Sequence, residues 1–173
     1  MKKLALLLVL LLTLCACSST NPAAPDAGAE FTARGLTLSI PDEYADLLLV
    51  EVPDEIGFYR YIFSVHEKAS FEAGEELYPG ENVKAGFLFA IGQVDENGLQ
   101  ELWEIGMTGA QVLATDAQGN YYVYYHPTDV QLLRAEYTDA DWDQWIALGG
   151  WAVQMKQEFL SQNPHLTPYS PEP

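Results

Sequence analysis

After Cys17 the 173-residue chain contains no cysteine. The body beyond that point therefore has no disulfide, no catalytic thiol and no thiolate metal site, and its stability rests on core packing. Basic residues are scarce: 8 Lys and Arg face 25 Asp and Glu, a formal charge of -17. Phosphate backbones are held mainly by basic side chains that release counterions, so nucleic-acid binding is excluded. The three histidines, His66, His126 and His165, are too dispersed for a zinc pattern. Nucleophile-elbow, phosphate-loop and dinucleotide motifs are missing, and no repeat of twenty to fifty residues stands out. No metal or cofactor is expected. The longest apolar run, Leu4 to Leu14, falls well short of the roughly twenty residues a membrane span needs. Aromatics are not scarce: ten Tyr, seven Phe and four Trp favour a packed core over disorder.

The short apolar run follows Lys2 and Lys3 and ends at Leu14-Cys15-Ala16-Cys17. A charged start, an apolar centre and a small residue before the cut read as a secretory signal peptide over residues 1–16. The junction resembles the lipobox of bacterial lipoproteins, with Cys17 as the lipidated residue. That resemblance implies export and a bilayer anchor through Cys17. The anchor would hold the chain at the outer face of the cytoplasmic membrane, or at the outer membrane if the organism has one. Loss of Lys2 and Lys3 takes the formal charge to -19. Residues 17–34 are small, polar and broken by Pro22, Pro25 and Gly28, which suits a flexible tether. Residues 35–169 are long enough for one domain, and residues 170–173 read as a loose tail, with looseness expected from Pro168 onward.

Within the body, Leu36–Ile40 alternates like a half-buried strand, and Pro41–Asp46 suits a turn of helix. Leu47–Val52 and Phe58–Val65 read as strands on either side of an Asp54–Gly57 turn. His66–Ala73 reads as a short helix, and Glu75–Asn82 as a charged loop. Ala85–Val94 is the apolar central strand. Asn97-Gly98 suggests a hairpin returning through Leu99–Ile105. Gln111–Thr115 and Asn120–Tyr125 form another hairpin. Thr128 is placed to cap a short helix, Asp129–Ala135. Thr138–Asp141 resembles a capping box. Apolar residues from Trp142 to Leu160 then recur at three- and four-residue steps, giving a long helix that covers the sheet. Gly149-Gly150 would kink it or let it approach a strand closely. The expected class is α+β: an antiparallel sheet with a long C-terminal helix and one or two shorter helices against one face.

An Ile40-Pro41-Asp42 phrase after the first strand, with a long final helix, resembles the Mog1/PsbP-like fold. The stretches Gly119-Asn120-Tyr121-Tyr122-Val123 and Tyr125-His126-Pro127-Thr128-Asp129-Val130 resemble exported lipoproteins of anaerobic gut Firmicutes. The second resemblance spans most of residues 35–169 and implies a bacterial surface protein without implying a chemistry.

The candidate ligand-binding residues are Tyr122, Tyr124, His126 and Asp129. In a strand Tyr122 and Tyr124 share one face, while Tyr121, Val123 and Tyr125 share the other. One set packs under the helix, and the other either packs across strands or forms an exposed aromatic platform for a sugar, peptide or protein. His126 either orients the helix start that follows it or works as a base with a carboxylate such as Asp129. The acidic turns at Asp95–Asn97 and Asp116–Asn120 read as turns first and as calcium ligands second. The favoured function is a non-catalytic surface lipoprotein that binds an envelope protein or a small ligand. The alternatives are an extracytoplasmic hydrolase using His126 and nearby carboxylates, and a structural or assembly accessory of an envelope complex.

Overall fold

The computed structural model describes residues 28–53, 60–106 and 109–170. The signal peptide, Cys17, the first part of the tether, the Asp54–Gly57 turn and residues 171–173 lie outside the described residues. Among the described residues the fold is α+β, with a long C-terminal helix and three shorter ones.

Strands β1 (Ala29–Ala33) and β2 (Leu36–Ile40) form a hairpin. Helix α1 (Asp42–Ala45) follows. The main sheet contains β3 (Leu48–Glu51), β4 (Tyr61–Glu67), β5 (Phe87–Val94), β6 (Ala110–Thr115), β7 (Tyr121–Tyr125) and β8 (Thr167–Pro168). It is antiparallel throughout, in the order β3-β4-β5-β7-β6-β8. Helices α2 (Lys68–Leu77), α3 (Glu96–Glu104) and α4 (Asp139–Gln162) complete the body.

Strand β5 lies near the centre, and Leu88 to Gly92 are all buried. A run that is apolar at both odd and even positions needs cover on both sheet faces. One face packs Phe89, Ile91, Tyr122 and Tyr124 against α4 and the β1–β2 hairpin. The other packs Ala90, Val94, Val123 and Tyr125 against Leu99 and Leu102 of α3. Helices therefore cover both faces, where cover on one alone was expected.

The segment after β5 corrects the expected return strand. Asp95 caps α3, its carboxylate accepting from the Gly98 amide at 2.8 Å. Leu99 and Leu102, three residues apart, are buried together, which is a helical spacing. The expected helix over Asp129–Ala135 is not formed. Its backbone bonds sideways instead: the Gln131 carbonyl accepts from the Gly86 amide at 2.8 Å, and the Leu133 amide donates to Ser70 Oγ at 3.0 Å. Helix α2 runs to Leu77, so it takes in the start of the expected charged loop.

Two ends are more ordered than expected. Residues 29–33, assigned to the tether, form β1, because Arg34 (φ 54°) and Gly35 (φ 79°) make a tight left-handed turn and Phe31 packs on the core. Pro168 lies in β8, and the Tyr169 amide donates to the Leu113 carbonyl at 2.8 Å. At the end of α4, Asn163 is buried and binds Thr37 through both backbone groups, at 2.8 Å each, while Gln162 accepts from the Ser39 amide. These bonds fasten the hairpin to the helix.

The capping box at Thr138 and Asp141 is formed. The buried stripe of α4 is Leu148, Trp151, Ala152, Met155 and Phe159. Trp142, Ile146 and Val153, expected on that stripe, face solvent. Gly149 and Gly150 make no close approach: a Cβ added at either would meet nothing within 4 Å.

Candidate functional site

The end of β7 carries the chain out of the sheet at His126, and the following loop separates two open grooves. On the α4 side, a groove of about 320 Å³ is bordered by Leu88, Tyr124, His126, Asp129, Val130, Trp145, Gly149, Val153 and Lys156. On the α3 side, one of about 440 Å³ is bordered by Tyr61, Phe87, Tyr125, His126 and Asp129. Tyr124, His126 and Asp129 thus meet at one groove. Tyr122 is at a separate polar depression with Asp116, Asn120 and His165.

Of the two alternatives for β7, packing and an exposed tyrosine platform, the structure shows packing. Tyr122, Tyr124 and Tyr125 are all buried, and Tyr121 is half-buried. Tyr124 stacks on Phe89 at 5.4 Å and donates to the Ala152 carbonyl at 2.7 Å, and burial pushes its phenol pKa up. The Tyr122 hydroxyl donates to Asp116 Oδ2 at 3.1 Å. Burial, then that bond and the nearby negative charge, raise its pKa to about 12. Tyr125 packs edge-on to Tyr61 at 5.1 Å. Burial lifts its pKa to about 12 against the opposing pull of Arg60. The sheet is covered on both sides, so neither tyrosine set is left outside.

His126 is exposed, and its Nδ1 lies 3.0 Å from the Pro127 carbonyl, to which it donates. Asp129 accepts instead from Gln131 Nε2 at 2.6 Å. Among the described residues no hydrogen bond or ion pair joins His126 to a carboxylate, so the pair required by the hydrolase reading is not assembled. The helix that His126 was expected to orient is also absent. Lys156 holds its ammonium 4.9 Å above the Tyr124 ring and donates to Gln111 at 2.9 Å.

The surface beside the groove is apolar. Val130, Ile146 and Val153 are 58%, 67% and 64% exposed, and Tyr137 stacks on the exposed Trp142 at 6.0 Å. Solvent-facing apolar side chains grouped in this way distinguish an interaction surface from scattered ones.

Two polar clusters escaped the sequence reading. Glu67 is 1% exposed and binds Arg134 through both oxygens, with Ser70 and Gln144 completing its partners. Burial alone would raise its pKa, but the bonds from Arg134 and Ser70 outweigh that and hold it low. His66 is also buried. Its Nδ1 donates to the Ala85 carbonyl at 3.2 Å, which leaves Nε2 to accept from Ser64 Oγ at 2.8 Å. Burial lowers the imidazole pKa despite that carbonyl and Glu51. This is a serine–histidine contact without a triad: Glu51 approaches the same nitrogen as the serine, and Ser64 is buried from substrate. Both clusters start from His66 and Glu67, which the structure places at the end of β4 and not in the expected helix.

The acidic turns are occupied internally. Asp116 accepts from the Gln118 and Asn120 amides, the Asn120 side chain and Tyr122, so its oxygens are already bonded. Asp95 caps α3. Among the described residues no group of three His, Cys, Asp or Glu is placed to hold a metal ion, and no helix is long and apolar enough to cross a membrane. No family model, curated protein or solved structure matches the chain.

Proposed function

We propose that this chain is an exported, lipid-anchored binding protein without catalytic activity. It would be held to a bilayer by Cys17 and dock an envelope partner on the α4 groove and the apolar helix face beside it. The observation that carries this reading is that exposed face: Val130 and Val153 stand in solvent on a groove containing Tyr124, His126 and Asp129, and the exposed Ile146 lies three residues before Gly149 of the groove wall. A groove with apolar walls and few polar groups suits binding, and among the described residues His126 bonds to the Pro127 carbonyl and Asp129 to Gln131, which favours binding over hydrolysis. The leader supports the anchorage through its charged start, its short apolar run and the Leu14–Cys17 junction.

Two measurements test the two halves. Intact-mass analysis of membrane-extracted native protein should find a chain beginning at Cys17 with added lipid mass; an unmodified Cys17 would end the anchorage reading. A photo-crosslinking residue in place of Val153 should give a discrete adduct in native membranes, while one in place of the exposed Glu81 should not. Equal crosslinking from the two positions, or none from Val153, defeats the docking reading.

A further inference from the structure

Helix α4 has a second apolar row. Trp142, Ile146, Gly149, Val153, Lys156 and Leu160 follow one another at steps of four, three, four, three and four residues. That is the spacing of a heptad seam, the pattern that holds two helices side by side. Three of the six, Trp142, Ile146 and Val153, face solvent, while Leu160 at the end of the row packs on the core. The core is served by the separate Leu148–Phe159 stripe, while Trp142, Ile146 and Val153 are 41%, 67% and 64% exposed.

The glycine in the row needs its own explanation. An alanine at Gly149 would favour the helix, and no neighbour within the chain forbids one, since its Cβ would lie in open space. A glycine without an internal reason, in the middle of an exposed apolar row, lets a second backbone come close. Lys156, the polar member, has its charge engaged by the Tyr124 ring and Gln111.

Charge selects the occupant. Asp139 and Asp143 precede Trp142 and Ile146 by three residues each, which makes them neighbours along the helix surface. The exposed Asp129 stands across the groove. With a formal charge of -17 on the whole chain, a second copy is repelled, and a partner with basic flanks is drawn in.

We infer that the outer face of α4 is a helix-docking seam, and that its occupant is a partner helix with apolar residues at heptad spacing flanked by Lys or Arg. This rests on the docking reading above and names its partner class. The probes are two synthetic three-heptad peptides with the same Leu and Ile seam, one flanked by lysines and one by glutamates. Their binding to the full chain is followed by fluorescence anisotropy.

The lysine peptide should bind saturably, at least tenfold more tightly than the glutamate peptide. Val153→Asp should weaken it at least tenfold, although the added negative charge would strengthen any non-specific attraction. Gly149→Ala should raise the Tm yet weaken the lysine peptide. Equal binding of both peptides, no saturable binding, or strengthening by Val153→Asp overturns the inference. So does sedimentation showing a dimer of the full chain that Val153→Asp dissolves, since the occupant would then be a second copy. If Val153 crosslinks in membranes but the lysine peptide does not bind, the basic-helix assignment fails and the docking reading stands. If neither occurs, both fail.

Discussion

Glu67 is a carboxylate with almost no exposed surface, and it persists there because Arg134 meets it with two nitrogens. Removing one member of such a pair strands a charge, which costs about 3–5 kcal/mol. Arg134→Ala is therefore expected to lower the unfolding free energy by about that amount in urea titrations. Acid should act through this cluster and through the one around His66. Glu67 is held below its ordinary 4.5 and buried His66 below its ordinary 6.5. In each case the unfolded chain takes up the proton at higher pH than the folded one, so stability falls as pH falls. The His66 loss begins below pH 6.5 and that of Glu67 below 4.5. Urea midpoints measured across this range should decline in two steps, and His66→Gln should flatten the first. None of this was legible from the residues themselves. Adjacent strand residues point to opposite faces, and only the cover on both faces makes His66 and Glu67 buried together.

Elements were legible where periodicity and chain punctuation agreed. The β6–β7 hairpin and the capped α4 follow from tyrosine-rich alternation and from Thr138 with Asp141. Helix α3 was misread because Asn97-Gly98 is a strong turn signal, yet Asp95 uses the Gly98 amide as a capping partner. Asp95→Ala should destabilise the protein by about 1 kcal/mol, visible as a lowered Tm. The orientation of α4 was misread for a different reason. It has two apolar rows, and periodicity alone does not say which one faces the sheet. Gly150 tests the backbone side of that account. Its Cβ would lie in open space, so Gly150→Ala should stabilise the helix by about 1 kcal/mol, read from thermal unfolding.

For the molecule as a whole, acidity outweighs any single ion pair. A formal charge of -17 makes the folded body repel itself, and salt screens that repulsion over about 8 Å at physiological strength. Thermal scans should therefore show the Tm rising from 10 to 200 mM sodium chloride (about a twentyfold range of screening salt). The α+β class was legible at this scale, because strands joined by short turns precede one long helix. The candidate site was legible only in part. Tyr124, His126 and Asp129 do border one groove, but Tyr122 was separated from them, and the apolar walls from α4 come from far along the chain. Contacts so distant in sequence leave no local pattern to read.

The segment after α4 also shapes the edge of the main sheet. Strand β6 would otherwise be an edge, offering the unpaired backbone of Leu113 to Thr115 to any other extended chain. Thr167, Pro168 and Tyr169 lie along it, with Leu166 buried beneath and the Tyr169 ring against Tyr121 at 6.1 Å. A two-residue strand containing proline is a poor template for further pairing, so this part of the edge is covered by a piece that recruits nothing. Truncation after Pro164 should leave a protein that scatters light and forms fibrous aggregates at concentrations where the full chain stays clear.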